Sequence, residues 1–340
     1  MKPRHLLYIL FIIPLLASLS SCIDEDEFPD DPNGNFEALW RIIDEHYCFL
    51  DYKKQAYGLN WDSIHVAYAK HIDPTMSEGQ LFEVLASMLS QLRDGHVNIY
   101  STTDVARYWA WHENYPANFS DTLCRKYLGT DYRISGTLCY RVLDDNIGYI
   151  RLSSFENRIG EGNLDHALMY LSPCNGLIID VRDNSGGLVT AAEEFAARFT
   201  NETIVVGYMQ HKTGTGHNDF SEMQEQKLKP STGLRWQKPV VVLTNRGVFS
   251  AANEFVKYME CCPNVKTVGD RTGGGAGLPF SSELPNGWAV RFSACPIYNN
   301  KKELTEFGIT PDYSVALTDF DFLNGKDTII EYARKLLNKK

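Results

Sequence analysis

The sequence predicts an α/β fold behind a small helical unit, and three observations carry that reading. Two apolar runs, Leu177–Ile179 and Val240–Leu243, each end in a polar, glycine-containing turn and then pass into an alanine-bearing stretch of helical character. That is the pattern of strands covered on both faces and feeding helices. Between residues 35 and 94 apolar residues recur every three or four positions, which is helix; from Gly148 onward strand-like and helix-like segments alternate, which is α/β.

Taken in order, the chain opens with a basic Lys2 and Arg4 and an apolar stretch, Leu6–Leu19, too short to span a bilayer comfortably. This reads as an export signal over residues 1–22. Its end, Leu19-Ser20-Ser21-Cys22, resembles a bacterial lipobox, in which Cys22 is lipidated and becomes the first residue; the plainer alternative is an ordinary cleaved signal with an incidental cysteine. Residues 23–34 form an acidic linker. The expected location is the cell envelope, as an outer-membrane lipoprotein on the periplasmic or outer face, with membrane contact through the lipid alone.

Residues 35–97 read as a helical domain. Phe36, Leu39, Trp40, Ile43 and Tyr47 form one stripe, Trp61, Ile64, Tyr68 and Ile72 a second, and a capping box from Ser77 to Gln80 opens a third with Leu81, Leu85, Met88, Leu89 and Leu92. This last helix delivers Asp94, Gly95 and His96 to a turn before the strand-like Val97–Tyr100. Residues 98–145 are read as an intermediate β-rich segment and 146–320 as the α/β core. Within the core, Tyr149–Leu152 is a strand, Leu164–Leu171 a helix, and 209–237 an excursion or hairpin. A strand at Val265–Val268, a glycine-rich turn at 273–277 and a strand around Trp288–Phe292 follow. Residues 321–340 are read as a C-terminal helix.

Bulk composition narrows the function. The 340 residues are 44% hydrophobic, enough for a sizeable core, and a net charge of −10 argues against a nucleic-acid partner. Of eight cysteines, assigning Cys22 to lipid leaves an odd number and no C-x-x-C pair or histidine cluster, so neither a metal nor another cofactor is expected.

Chemistry concentrates at the two junctions. Ser250 stands where the second run turns into a helix, so its hydroxyl sits at a sheet edge with free helix N–H groups beside it. Taken alone, such a serine is more commonly an N-cap. Gly186 and Gly187 follow the first run, where glycines let backbone approach a ligand or simply make a βα turn. Facing one another, the two junctions would form a crevice at the strand ends.

The motifs at these places resemble a known family. Asp180-Val181-Arg182-Asp183-Asn184-Ser185-Gly186-Gly187 is similar to the D-[LV]-R-x-N-x-G-G stretch of the tail-specific (C-terminal processing) and tricorn-core serine peptidases, and Ser250-Ala251-Ala252-Asn253-Glu254 to their S-A-[AS]-x-E nucleophile motif. Gly269-Asp270-Arg271-Thr272 resembles the G-x-x-T segment, and Glu306 to Asp312 the E-G-x-G-[IV]-x-P-D ending. Together these cover about half the chain. The resemblance implies a crotonase-like or ClpP-like α/β core with a helical N-terminal domain, and residues 97–147 look too short for the family's PDZ domain.

The processing branch activates serine with a lysine in G-x-x-T-x-G-K-G, where this chain has Gly275. The tricorn-like branch uses a histidine in a D-x-H setting, which Asp94-Gly95-His96 matches. The resemblance therefore implies Ser250 as nucleophile, His96 as base and Glu306 as supporting carboxylate. Glu306 would touch His96 directly, act through water, serve in substrate binding, or be a structural loop carboxylate; Asp94 is a second orienter or a turn cap. Imidazole, at about 6.5 when unperturbed, suits the base, so activity is expected to rise through a neutral pKa. Oxyanion donors are expected from the N–H of Ala251 and of Gly186 or Gly187. The expected function is a lipid-anchored serine endopeptidase acting on peptides or unfolded proteins. The alternatives are a catalytically weak peptide-binding lipoprotein on the same fold, or an acyl-transfer or thioester enzyme suggested only by the core.

Overall fold

The computed structural model describes residues 28–339; the export-signal stretch, Cys22 and linker residues 23–27 lie outside the described residues. The elements run α1 (Pro32–His46), α2 (Leu50–Tyr57), α3 (Trp61–Tyr68), α4 (Glu78–Ser90), β1 (Asn98–Tyr100), β2 (Val105–Arg107), α5 (Ala110–Glu113), α6 (Asp121–Leu128), β3 (Arg133–Ser135), β4 (Leu138–Val142), β5 (Ile147–Arg151) and α7 (Glu161–Leu171). They continue β6 (Gly176–Asp180), α8 (Val189–Ala196), β7 (Ile204–Met209), β8 (Gln224–Leu228), β9 (Val240–Thr244), α9 (Ala251–Glu260), β10 (Val265–Gly269), β11 (Gly277–Glu283), β12 (Ala289–Tyr298), β13 (Tyr313–Ser314), α10 (Asp319–Leu323) and α11 (Thr328–Leu337).

Two sheets organise the molecule. The larger has the order β13-β10-β9-β6-β5-β4-β3, parallel from β13 to β5 and antiparallel beyond. Its central strands are apolar throughout because both faces are covered. Leu177, Ile179, Val240 and Val242 point into a core closed by α7, α8 and α9, whereas Ile178, Val241 and Leu243 point to the other side, against α6 and α11. The period of two thus divides one hydrophobic run between two cores.

The second sheet, β2-β1-β12-β7-β8 with β11 also paired to β12, is antiparallel. One face carries Ile99, Val290 and Phe292 into the stripe of α1 and α4, where Phe36, Leu39, Ile43, Leu85 and Met88 are buried. The capping box on α4 is present in both arms, Ser77 and Gln80. Residues 98–145 do not form a unit of their own: β1 and β2 join the second sheet, and β3 and β4 extend the first. Short strands with few apolar residues hide this allegiance, since pairing partners are distant in sequence. The 209–237 stretch is the hairpin arm between β7 and β8 with its flanks.

The described cysteines, Cys48, Cys124, Cys139, Cys174, Cys261, Cys262 and Cys295, are free thiols. Among the described residues no helix is long and apolar enough to cross a membrane.

Candidate active site

The site forms where the second sheet meets the carboxyl ends of β6 and β9. Ser250 occupies the sharp turn between β9 and α9 with φ 56° and ψ −125°, a left-handed backbone that a residue bearing a side chain adopts at a penalty of about 1–3 kcal/mol. Its N–H donates to the carbonyl of Gly274 at 2.9 Å. Its side chain does not cap α9, so the N-cap reading is set aside. Instead Ser250 Oγ lies 2.9 Å from His96 Nε2, two residues 154 positions apart in sequence. Strained presentation of a serine at a strand-to-helix turn is how a nucleophile is held clear of its own helix.

Gly186 packs against this turn. A Cβ there would lie 2.8 Å from Ala251 N and 2.9 Å from Ser250 Cβ, and one on Gly187 would lie 2.3 Å from the Phe155 carbonyl carbon. Only glycine lets the two junctions close together. The N–H groups of Ala251, at the first turn of α9, and of Gly187 are without an acceptor among the described residues. The N–H of Gly186 is not available: it donates to Asn184 Oδ1 at 3.0 Å. Of the two glycines, Gly187 is therefore the one left to face an oxyanion.

His96 is buried, and its environment differs from the neutral-range base expected from the sequence. Burial lowers its pKa; Asp94 opposes this, and the positive charges of Arg291, Arg107 and Lys53 lower it further, to about 4. The ring is thus neutral at pH 7 and free to accept a proton at Nε2. Nδ1 is buried without a hydrogen-bond partner among the described residues.

Glu306 does not reach His96. It is buried, accepts the Ala276 N–H on Oε2 at 3.0 Å, and lies 3.3 Å from Lys53 Nζ through Oε1. It is not among the residues that line the cleft in front of Ser250. The residue in touch with His96 is Asp94, whose Oδ1 accepts the His96 backbone N–H at 2.8 Å. Asp94 Oδ2 accepts from Tyr47 and Ser293, each at 2.9 Å, and stands 3.8 Å from Lys53. Burial raises Asp94, but Lys53 and these donors outweigh it and keep the carboxyl below its ordinary value. Glu306, poorer in donors, is raised by burial and by Asp94 to about 8 despite Lys53. Of the two carboxyls, Glu306 is thus the one that holds a proton more readily.

Sequence reasoning missed Lys53, Tyr47 and Ser293. None stands in a motif, and only the packing of α2 and β12 behind the His96 turn brings them together. Lys53 does not replace the lysine absent at position 275, because its ammonium donates to the carbonyls of Leu92 and Arg93 at 2.8 and 3.2 Å. At Gly275 φ is 77° and a Cβ would lie 2.5 Å from the Phe249 ring, so no side chain fits. Likewise Gly95 is fenced by Trp111 and Phe249, 2.6 and 2.9 Å from where its Cβ would stand.

The cleft in front of Ser250 measures about 410 Å³ and is lined by Asn98, Arg107 and Arg291 of the second sheet, by Trp109, Trp111 and Phe249, and by Gly186, Gly187, Asp183 and Glu156 from the loops after β6 and β5.

Residues 146–315, half of the chain, match peptidase family S41, and residues 28–90 match the tricorn protease C1 domain. The chain belongs to peptidase family S41, a family of serine-type peptidases. The carboxy-terminal processing protease CtpA of Bacillus subtilis is 26% identical over 187 residues, 54% of this chain and 38% of that one. The tricorn protease of Thermoplasma acidophilum is 25% identical over 190 residues, 55% of this chain and 16% of that one. The chain spans well under half the length of these curated relatives. A crystal structure of a candidate peptidase from Parabacteroides merdae is 50% identical, with a TM-score of 0.87 and coverage of 92% of this chain and 98% of that one. The α/β core expected from the motifs is thus the fold of this family.

Proposed function

We propose that the protein is a serine endopeptidase that cleaves peptides or unfolded proteins through an acyl-enzyme. The observation that carries this is the 2.9 Å contact between Ser250 Oγ and His96 Nε2, made by a serine in strained backbone at a helix start. As a peptide carbonyl is attacked by Oγ, the proton passes to Nε2, and the carbonyl oxygen takes up charge before the N–H groups of Ala251 and Gly187. Each such donor contributes about 2.7–4 kcal/mol to the transition state. His96 then protonates the departing amine, and a water molecule, activated by the same ring, releases the acyl group. Asp94 supports the transient imidazolium through its negative charge and fixes the turn by its bond to the His96 N–H.

Lipid attachment at Cys22 and residence in the cell envelope are part of the proposal. They are supported by the basic start, the apolar Leu6–Leu19 and the Leu19-Ser20-Ser21-Cys22 sequence. Labelling with palmitate in the producing cell, lost in Cys22→Ala, tests the anchor; a full-length product that takes no lipid would refute it.

One observation favours a second reading, a peptide-binding protein with little turnover: the depressed basicity of His96 together with its unpartnered Nδ1. A fluorophosphonate reagent decides between them. Covalent labelling of the wild type that disappears in Ser250→Ala and falls steeply in His96→Ala is the expected result. No labelling of the wild type would establish the binding protein, and labelling that survives Ser250→Ala would mean another serine reacts.

A further inference from the structure

The cleft contains two guanidinium groups that the peptidase reading does not use. Arg107 on β2, Asn98 on β1 and Arg291 on β12 are directly opposite one another across three adjacent strands. Their neighbours Ile99 and Val290 turn into the helical core, so alternation sends Asn98, Arg107 and Arg291 to the opposite, cleft-facing side.

The group is built rather than casual. Asn98 is 1% exposed; its Nδ2 donates to the His96 carbonyl at 2.7 Å, and its Oδ1 accepts from Arg107 Nε. The Arg107 guanidinium also lies over the Trp109 ring, 4.8 Å from its centroid. Nε is thereby tied down while the terminal nitrogens stay uncommitted. The Arg291 side chain, only partly exposed, makes no hydrogen bond or ion pair among the described residues, and no carboxylate there pairs with either arginine. The acids of the cleft, Asp183 and Glu156, follow strands of the first sheet rather than the second, and Asp183 accepts from Asn245 at 2.6 Å.

We infer that Arg107 and Arg291 form a subsite for a carboxylate on the leaving-group side of the scissile bond. The side follows from the chemistry of the peptidase reading, on which this inference rests. His96 hands its proton to the departing amine, so the fragment that leaves lies along the wall that carries His96, and this wall is β1, β2 and β12. Guanidinium planes accept a carboxylate through paired N–H donors, which distinguishes it from an amide of the same shape. The carboxylate is either an Asp or Glu side chain or the terminus of the substrate chain; both offer the same two oxygens.

Burial does most to hold His96 down; a bound carboxylate would offset two of the three positive charges that add to it, strengthening the base when the correct substrate is in place. The other titratable groups facing this part of the cleft are His112, Asp183 and Glu156.

The test uses the full chain and a defined peptide mixture, with cut sites mapped by mass spectrometry. One arm is untreated, one has its chain termini alone amidated, and one has all carboxyl groups amidated. Expected is a fall of about 10- to 100-fold in cleavage when all carboxyls are blocked. A fall on terminal amidation alone identifies the chain end, and an Asp or Glu at a constant distance after the cut identifies the side chain. In Arg291→Gln and Arg107→Gln, with melting temperature as the control for folding, the ratio between untreated and blocked peptides should collapse toward one. Arg291→Lys should keep part of it, and the acid limb of kcat/KM should move to higher pH in Arg291→Gln. Wild-type protein that labels with fluorophosphonate but cuts blocked and unblocked peptides equally overturns the subsite and leaves the peptidase standing. Absence of both labelling and cleavage overturns both.

Discussion

Two buried charge clusters, one at the end of β6 and one behind His96, use the same ingredients to opposite effect. In the first, Arg182 grips Asp180 through two parallel bonds of 2.9 and 2.7 Å and reaches Asp327 at 3.0 Å. Tyr149 adds a bond to Asp180 at 2.8 Å, and Arg151 stands 3.9 Å away. Burial raises Asp180, but Arg182 overrides it and keeps the carboxyl below its ordinary value. In the second, a single Lys53 serves both Asp94 and Glu306, and burial together with the Asp94 charge raises Glu306 despite it. A planar fork matched to two acids braces a strand end, whereas a point charge shared unequally leaves one group protonated. The comparison teaches that of two buried carboxylates near the candidate base, the one poorer in donors need not be the anionic one.

The largest effect is expected in the braced cluster. Asp327→Ala removes a partner of Arg182 and the acceptor that caps α11 at Ile329 and Ile330. Urea unfolding should show a loss of about 3–5 kcal/mol; a loss below 1 kcal/mol would mean the two clusters are not distinct.

Next in size is Glu306→Gln, read as stability against pH. Because the folded pKa of Glu306 is raised to about 8, the unfolded chain releases its proton first, so this group's contribution is complete below the unfolded value of about 4.3 and is lost as pH rises through 8. The variant lacks that slope. It should match the wild type below about pH 4 and exceed it by up to about 5 kcal/mol at pH 9. Parallel curves would show Glu306 ionised in the fold.

A smaller change is expected from Gly275→Lys, which restores the residue type used by the processing branch. Positive φ and the Phe249 ring oppose any side chain there, so thermal unfolding should report a loss of about 1–3 kcal/mol. The added lysine should not restore labelling to His96→Ala; if it does, the pocket can remodel to a Ser-Lys pair.

The smallest effect is an absence. With His96 held near 4, kcat/KM for a substrate without carboxylates should stay level between about pH 5 and 8 and fall only at the acid end. A limb near 6.5 would show that burial is relieved in solution and that the second cluster sets the base differently.

Legibility in the sequence tracked how local the signal was. The runs Leu177–Ile179 and Val240–Leu243 are covered on both faces, so continuous apolarity announced them as strands. The α4 capping box and the stripe of α1 were equally readable, because helix periodicity and caps are settled within a few residues. Strands β2, β3 and β13 were not, being two or three residues long and half polar. At the site, Ser250 and His96 were legible from residue type and motif. The protonation state of His96 was not, because it depends on burial and on Arg107, Arg291 and Lys53.

The sequence by itself determined the order of elements, the two glycine- and serine-bearing junctions and the candidate nucleophile and base. These follow from short-range patterning and from chemistry intrinsic to a side chain. Only the tertiary structure decided that Asp94 rather than Glu306 touches the histidine, that the Gly186 N–H is already spent on Asn184, and that two arginines flank Asn98 across the sheet. Each of these is a relation between strands or helices far apart in the chain. Hydrogen-bond partners and local dielectric exist only once register and packing have brought those elements together.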